Sequence, residues 1–435
     1  MKTVTLTSRI RICVNENDSE IRKNYYKQLR DYEYFTFRCA NKMVQSLYIP
    51  DALANGFGVD KKLITGEELT KKVGEVFECH PSSMGYKGVS KEFREKLPST
   101  IRASLNGGIR KVYAAEKFEV SIGKRVVRTY KKGIAIPFTK NALEKLGNYE
   151  GKFFFNLFKI PFVCILGKDK SDNASVLNKL ISGEYSMCDS SIKFKDNKLF
   201  LLLVIKIPVE KHKLCENKTL GIDLGISVPL YAATNFGKNS LSIGSAEQFL
   251  NTRLAFQKRK RSMQKGLSTA SGGRGRKHKL KALNKLKGSE RNWVNTYNHT
   301  LSKRAIDFAI KNKCKTIIIE DLKGIAKNDA NNFLLRNWSF FELQNFIEQK
   351  AKKVGIEVIK INPRYTSQRC HNCGSIHKDN RKNQSDFKCI SCEHTDNADH
   401  NAAKNISIAN TKEFKKEIEK YIKKLEKDKK KTLSL

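Results

Sequence analysis

The chain has 435 residues and a hydrophobic fraction of 39%, so it is long enough for two to four domains with sizeable cores and is not a disordered tail. Its 84 Lys and Arg against 44 Asp and Glu give a formal net charge of +40, which favours nucleic acid as partner over an anionic membrane surface. A lysine-rich genome bias would raise Glu as readily as Lys. The longest apolar runs, such as Leu201–Ile205, are too short to span a bilayer, and the N-terminus predicts a strand rather than a signal peptide, so we expect a reducing, cytoplasmic location.

The first half of the chain predicts a β-rich unit that contains a helical insertion. Polar and apolar residues alternate over Thr3–Val14, which is typical of a strand, and helical spacing follows from Ser19 to Leu47. Further helices are predicted at Glu67–Phe77 and Ser90–Leu97. Strand patterns dominate from Phe118 to Val209, beginning with Phe118–Ile122. Because a strand precedes the helices, we expect the strands on both sides of them to form one unit.

The second half alternates strands and helices and carries a basic arm between Arg253 and Arg291. The arm has fourteen Lys or Arg residues and one Glu, with a flexible loop predicted at Ser271–Lys277 between two helices. We expect its cations to contact nucleic-acid phosphates, although a solvated basic face is the alternative; they are Lys258, Arg259, Lys260, Arg261, Arg274, Arg276 and Lys277. The other predicted elements are strands at Thr219–Ile226, Lys315–Asp321 and Ile356–Ile361, and helices at Trp293–Lys313, Phe340–Val354 and Lys412–Lys431.

Four of the 11 cysteines have the spacing of a structural zinc site. Cys370 and Cys373 form one C-x2-C turn, and Cys389 and Cys392 form a second after fifteen residues. Two such turns supply four thiolates, which close a tetrahedral shell around one Zn2+. Two surface dithiols or a redox pair are the alternative reading. We expect the other seven cysteines to be free, as is usual in a reducing compartment.

Polar residues around the cysteines are expected to face solvent or nucleic acid. Because four thiolates fill the zinc shell, His371, His377 and His394 are interpreted as surface or nucleic-acid contacts rather than ligands. Arg381 belongs to the basic residues between the two turns, and we expect it to contact nucleic acid.

Three acids stand where burial makes a carboxylate costly. Asp223 follows an apolar strand, Glu320 ends the run Thr316–Ile319, and Asp399 opens a helix with small residues. Each alone is more often a cap or an ion-pair partner than a functional group. Together, in this order and in a basic chain, they predict a site for two Mg2+ ions that would activate water and stabilise the leaving oxygen during phosphodiester hydrolysis. Asp321 and Asp396 are the neighbouring competitors; Asp321 is expected on the opposite strand face.

These residues resemble the motifs of TnpB and of the miniature type V CRISPR effectors. The resemblance lies in Gly221–Gly225, Ile319–Leu322, Tyr365–Gly374 and Asn397–Ala403, and it covers most of the chain, most strongly after Lys218. Upstream segments such as Leu97–Ile101, Ile181–Tyr185 and the Gly273–Lys277 loop are more similar to the type V-F effectors than to TnpB.

The resemblance implies a multidomain α/β fold and an RNA-guided DNA endonuclease. It implies a RuvC site of the RNase H-like type formed by Asp223, Glu320 and Asp399 with two Mg2+ ions, and one Zn2+ on Cys370, Cys373, Cys389 and Cys392. His400, which follows the third acid, is interpreted as a spacer, and a role in orienting a ligand or touching the metal is the alternative. The implied partners are a guide RNA, double-stranded target DNA with a short flanking motif, and a second copy of the chain on the same guide RNA, in a prokaryotic cytoplasm. The implied domains are a β-barrel-like wedge domain at 1–15 and 106–217, a helical recognition domain at 16–105, a RuvC domain at 218–368, a zinc-ribbon-like target nucleic-acid-binding module at 369–394, and a RuvC C-terminal helix with a charged tail at 395–435.

Three alternatives remain open. A transposon-associated TnpB-like nuclease would use a transposon-end RNA and act as a monomer. A nucleic-acid-binding protein that does not cleave would rely on zinc and basic residues, but it would have no use for carboxylates among phosphates. A strand-joining transposase could use the same two-metal site, and only the resemblance argues against it.

Overall fold

The computed structural model describes residues 3–56, 89–167, 172–225, 228–269, 272–321, 340–362, 364–381, 383 and 385–432. The predicted helix at Glu67–Phe77 lies outside them. The chain divides into two compact units, Met1–Pro208 and Val209–Leu435. Within the described residues, no helix combines the length and the apolar character that crossing a membrane requires.

The first unit is one antiparallel sheet with a helical insertion. Its strands are β1 (Thr3–Val14), β2 (Ile136–Phe138), β3 (Leu143–Tyr149), β4 (Lys152–Leu157), β5 (Ile160–Ile165), β6 (Ser186–Met187), β7 (Ser190–Lys195) and β8 (Lys198–Pro208). Its helices are α1 (Ser19–Gly56), α2 (Val89–Glu92), α3 (Ser99–Ser121) and α4 (Asn173–Ile181). The sheet order is β2-β7-β8-β1-β5-β4-β3, with β6 also paired to β8. The prediction that β1 joins strands from beyond the helices is therefore confirmed.

Alternating burial along these strands builds the core of the first unit. On β8, Leu199, Leu201, Leu203 and Ile205 are buried while the residues between them are more accessible. The helix α1 begins where Asp18 Oδ1 accepts hydrogen bonds from the backbone N–H groups of Glu20 and Ile21, as an N-cap does.

The predicted strand at Phe118–Ile122 is wrong, because α3 continues to Ser121. The helix buries Ile101, Leu105, Ile109 and Glu116, and this spacing of four and seven residues defines one helical face. Phe118 is 72% exposed, so the five-residue alternation does not mark a buried strand face. The helical part also runs beyond residue 105, where the sequence suggested that it ends.

The second unit is built on a five-stranded sheet of order β11-β10-β9-β12-β13. These strands are β9 (Cys215–Asp223), β10 (Leu230–Thr234), β11 (Ser240–Ile243), β12 (Cys314–Glu320) and β13 (Glu357–Ile361). The helices are α5 (Ala246–Ser268), α6 (Gly273–Lys311), α7 (Phe340–Lys353), α8 (Ala398–Ile408) and α9 (Lys412–Thr432), and a small hairpin pairs β14 (Asp386–Lys388) with β15 (Thr395–Asn397). Strands β9, β12 and β13 run parallel, whereas β10 is antiparallel to β9 and β11.

The basic arm consists of two helices, as predicted, but its turn is shorter than expected. Helix α6 begins at Gly273, so Arg274, Arg276 and Lys277 are helical rather than part of a loop. Gly272 and Gly273 both have positive φ, a conformation that glycine adopts readily. Arg274, Arg276 and Lys277 favour helix, and α6 starts early despite Gly275.

Candidate carboxylate and metal-binding sites

Two of the three predicted acids end neighbouring parallel strands. Asp223 is the last residue of β9, and Glu320 is the last residue of β12. The register pairs Ile222 with Ile319, so Asp223 and Glu320, the next residue of each strand, lie side by side at the carboxyl ends of β9 and β12. The strands bring them there because their apolar residues, such as Ile222 and Ile319, are buried and the chain turns away after the acids.

The third acid, Asp399, lies in the first turn of α8. Asn397 caps this helix: its Oδ1 accepts hydrogen bonds from the backbone N–H groups of Asp399 (3.0 Å) and His400 (3.1 Å). Helix α8 packs directly against β9 at Gly221, where an added Cβ would lie 2.8 Å from Ser407 Cα and closer still to Ala403 O and Ser407 N. The missing side chain at Gly221 is what lets α8 approach the strand that carries Asp223.

The electrostatics indicate that the three carboxyl groups share one region. Burial raises the pKa of Asp223 well above its usual range, and the nearby carboxylates of Glu320 and Asp399 raise it further. Burial raises the pKa of Glu320 to about 7, although the hydroxyl of Thr366 opposes this. Burial also raises the pKa of Asp399. Crowded, desolvated carboxylates of this kind are stabilised by a bound cation.

Arg381 is a charged neighbour that sequence reasoning assigned only to nucleic acid. Its Nη2 lies 3.5 Å from Asp399 Oδ1, and its charge lowers the pKa of Asp223, Glu320 and Asp399 against the effect of burial. Arg381 lies between the two cysteine pairs in sequence, so the segment carrying the cysteines also supplies a positive charge to the carboxylates. Nothing in the sequence around Arg381 indicates that its side chain lies beside the carboxylates.

Two hydrogen bonds fix Glu320. Thr366 Oγ1 donates to Glu320 Oε1 at 2.5 Å, and Gln344 Nε2 donates to the backbone oxygen of Glu320 at 2.6 Å. Thr366 is fully buried, and its own backbone oxygen accepts a hydrogen bond from Asn405 Nδ2 on α8. The side chain of Glu320 is thus tied, through Thr366, to the helix that carries Asp399.

The donor set of the three acids suits hard divalent cations. Carboxylate oxygens are the ligands that Mg2+ prefers. The raised pKa values of Asp223 and Glu320 also mean that a positive charge entering the site would stabilise it. Among the described residues, the three acids do not form a compact group whose oxygens all lie within 4.8 Å of one another. Two ions about 4 Å apart would need ligands spread more widely than one ion would.

The four predicted cysteines do form such a compact group. Their sulfurs all lie within 4.8 Å of one another, with Cys370 Sγ 3.8 Å from Cys392 Sγ and Cys373 Sγ 3.6 Å from Cys389 Sγ. Sulfurs bound tetrahedrally at a Zn–S distance of about 2.3 Å would be about 3.8 Å apart, so the arrangement fits one Zn2+. The backbone N–H of His394 lowers the pKa of Cys392 to about 7, which favours a thiolate there.

The segment around these cysteines, residues 369–397, is named here the cysteine module, and it is anchored to α8. Arg369 Nη1 donates to Asn405 Oδ1 at 2.8 Å, and Asn401 Nδ2 donates to the backbone oxygen of Arg369 at 2.8 Å. Arg369 Nε also donates to Glu417 on α9. The buried pair Asn401 and Asn405 therefore holds the start of the module against the helix that carries Asp399.

Three histidines lie around one acid of the module. His371, His394 and His400 surround the carboxylate of Asp396, and His400 Nδ1 lies 2.7 Å from Asp396 Oδ2. His400, interpreted from the sequence as a spacer, contacts through its ring an acid one helical turn away. The i, i+4 spacing of Asp396 and His400 predicts this contact.

Most cations of the basic arm face solvent. Among the predicted residues, Lys258, Arg259 and Arg261 on α5 are exposed, and Lys260 is partly covered. Arg274, Arg276 and Lys277 on α6 are also exposed, and Arg276 Nη1 is within 3.4 Å of the backbone oxygen of Leu267, which joins the two helices. The basic arm itself contains none of the three acids of the carboxylate site.

Known proteins are similar to this chain in sequence and in fold. Residues 340–406 match the family described as "Cas12f1-like, TNB domain". The CRISPR-associated endodeoxyribonuclease Cas12f1 of Sulfoacidibacillus thermotolerans is 38% identical over 259 residues, which are 58% of this chain and 60% of that protein. Over these residues the chain is similar to Cas12f1 proteins. A TnpB-like protein of Methanocaldococcus jannaschii is also 38% identical, over 143 residues.

The relationship to Cas12f1-like proteins extends to the fold. The protein in a cryo-EM structure of a Cas12f1-sgRNA-target DNA complex superposes with a TM-score of 0.70 at 19% identity, covering 93% of this chain and 99% of that one. The predicted multidomain α/β fold is thereby confirmed. The sequence matches to three curated Cas12f1 proteins span only 50% to 60% of their lengths.

Proposed function

We propose that the chain is an RNA-guided DNA endonuclease of type V-F that hydrolyses phosphodiester bonds at a RuvC-type site. The observation that carries the proposal is the meeting of Asp223, Glu320 and Asp399, from three separate parts of the sequence, in a desolvated site with Arg381 beside it. The names of the relatives support the same activity, since they are CRISPR-associated endodeoxyribonucleases.

The finer architecture is part of this proposal. The five-stranded sheet with α6, α7 and α8 forms the RNase H-like RuvC core, and the cysteine module is a zinc-ribbon-like insertion into it. The antiparallel sheet of the first unit is the wedge domain, and α1 to α3 form the inserted recognition domain, which extends to Ser121. Similarity to the protein of the Cas12f1 complex supports this assignment at the level of the fold.

The three acids hold two Mg2+ ions in this proposal. Thr366 keeps Glu320 Oε1 in one orientation, and the cap on α8 fixes the backbone of Asp399. When bound, the ions would lower the pKa of a water molecule and stabilise the departing 3′ oxygen. Arg381 balances the carboxylate charge and is close enough to Asp399 to meet a phosphate that enters the site.

The partners are a guide RNA and double-stranded DNA with a short flanking motif. A neighbour of the same fold is described in a complex with sgRNA and target DNA, which supports this. The exposed cations of α5 and α6 give the chain sites for phosphates, and the net charge of +40 favours them. In this proposal two copies of the chain bind one guide RNA, and Zn2+ on the four cysteines folds the cysteine module.

A guided cleavage assay tests the catalytic site. Isosteric variants Asp223→Asn, Glu320→Gln and Asp399→Asn should lose cleavage, because each removes a ligand charge, while DNA binding survives on the Lys and Arg residues. Cleavage by the wild type should require Mg2+ or Mn2+ and stop with a chelator. Asp396→Asn tests the neighbouring acid three residues before Asp399: loss of cleavage in this variant with activity kept in Asp399→Asn would make Asp396 the third ligand. If all four variants cleave like the wild type, the chain is a binding protein and the acids are structural.

A transposon-associated nuclease is the second candidate, and the similarity to a TnpB-like protein favours it over unrelated classes. Sequencing the RNA that co-purifies with the chain separates the two. A repeat-derived RNA supports the CRISPR effector, and a transposon-end RNA supports the TnpB-like nuclease.

A further inference from the structure

Three histidines converge on one carboxylate in the cysteine module. Asp396 Oδ2 lies 3.4 Å from His371 Nδ1, 3.9 Å from His394 Nε2 and 2.7 Å from His400 Nδ1. His371, His394 and Asp396 each offer one ligand atom, and these atoms all lie within 4.8 Å of one another. Imidazole and carboxylate together form the donor set of zinc, cobalt and nickel sites.

His394 supplies the second observation. Its Nε2 is buried and has no hydrogen-bond partner among the described residues, although it faces Asp396 Oδ2. The separation of 3.9 Å is too long for a hydrogen bond, so the nitrogen loses its contact with water and gains no partner in return. A metal ion between Nε2 and the carboxylate would use this lone pair.

The surroundings hold the cluster in place. Asn401 Oδ1 accepts a hydrogen bond from the backbone N–H of His371 at 2.9 Å and lies 3.1 Å from His371 Nδ1. The orientation of Asn401 is fixed because its Nδ2 donates to Arg369 O. Asp396 is oriented in turn, since its Oδ1 accepts a hydrogen bond from Asn397 N.

We propose that His371, His394 and Asp396 form a second metal site, distinct from the four cysteines, for a borderline divalent ion such as Zn2+ or Co2+. The site selects against Mg2+, which prefers oxygen ligands alone. Three protein ligands leave a coordination position open, so the ion exchanges more readily than one enclosed by four thiolates. A bound ion would link both C-x2-C turns to β15, which leads directly into α8 and Asp399.

Metal stoichiometry after equilibrium dialysis of the full chain against Zn2+, with Mg2+ in large excess to occupy the three acids, tests the proposal. The wild type should hold about two ions per chain, and His394→Gln about one. Co2+ distinguishes the sites, because thiolate ligands give intense sulfur-to-metal charge-transfer absorption and nitrogen and oxygen ligands do not. His394→Gln should keep the charge-transfer band, which shows that the cysteine module is folded, and lose the additional visible absorption.

His377→Gln is the matched control, because His377 belongs to the same module but lies outside the cluster. This variant should keep both ions. One ion per chain in the wild type, with the charge-transfer band present, overturns the second site and leaves the cysteine site intact. An equal loss in His377→Gln and His394→Gln also overturns it, since binding would then be nonspecific. A wild type without the charge-transfer band instead contradicts the zinc site of the proposed function.

Discussion

Replacing Gly221 by alanine should separate α8 from β9 and thereby displace Asp399 from Asp223. The added Cβ would overlap Ala403 O and Ser407 N and lie 2.8 Å from Ser407 Cα, whereas ordinary contacts begin at 3.4 Å. The contact with Ser407 Cα alone requires a displacement of about 0.6 Å, and the two closer backbone atoms require more. The blocking atoms belong to the backbone and cannot rotate away. Overpacking of this kind costs about 1–3 kcal/mol, and we expect the upper half of this range, about 2 kcal/mol or more.

Thermal unfolding and guided cleavage measure the two consequences separately. A loss of about 2 kcal/mol should lower the Tm by about 4–8 °C for a unit of this size. The rate of cleavage should fall by about 10²-fold in protein that remains folded, because catalytic groups tolerate a displacement of about 1 Å poorly. The stability result does not depend on the proposed activity.

Gly288→Ala is the matched control for this substitution. Gly288 lies within α6, and a Cβ there would meet no atom within 4 Å. Alanine is the better helix former by about 0.5–1 kcal/mol, so this variant should be as stable as the wild type or slightly more stable. If Gly221→Ala matches Gly288→Ala in both Tm and cleavage, the close approach of α8 to β9 does not position the site.

The remaining predictions concern the carboxylates and the basic arm. Burial raises the pKa of Glu320 from 4.5 to about 7. Without metal, the folded chain is therefore most stable, as far as this group is concerned, below pH 4.5, where Glu320 is protonated both folded and unfolded. This contribution to the free energy of unfolding is lost as the pH rises through about 7. Glu320→Gln should remove about 3 kcal/mol of this dependence, measured by denaturant unfolding in chelator at several pH values; an unchanged profile contradicts the reasoning. Thr366→Val should reduce cleavage about 10–100-fold, with partial recovery at high Mg2+, whereas Thr366→Ser keeps the hydroxyl and the activity. Arg259→Gln with Arg261→Gln should weaken DNA binding equally for all sequences and lower the salt slope by about one per lost contact; an unchanged slope would mean a solvated surface.

The main features of the site could be predicted because each depends on a local pattern. Asp223 and Glu320 end short apolar runs, and such runs are strands whose side chains are buried and whose ends are more accessible. Asp399 follows Asn397, a strong cap residue, and precedes small residues that pack closely. The spacing of the cysteines brings their sulfurs together because a C-x2-C turn is a short-range constraint.

Other positions could not be predicted, since tertiary packing decides them. Arg381 and Thr366 are polar residues in irregular segments, and no periodicity indicates which of them reaches a carboxylate. The five residues Phe118–Ile122 are too few to distinguish a strand from the end of a helix, and the longer helical face of α3 prevails. Sequence reasoning treated His371, His394 and His400 one at a time, although their common contact is Asp396.

The contacts also connect the cysteine module to the carboxylates through a continuous series of hydrogen bonds. Arg369, next to Cys370, bonds to Asn405 on α8; Asn405 bonds to the backbone of Thr366, and Thr366 bonds to Glu320. Arg381 of the module makes a second connection, because its guanidinium lies beside the carboxylate of Asp399 on α8. The module has a small apolar core, so the proposed Zn2+ would stabilise its fold. Under the proposed function, loss of this ion should therefore also disturb Thr366 and Arg381, although the thiolates and the carboxylates share no ligand.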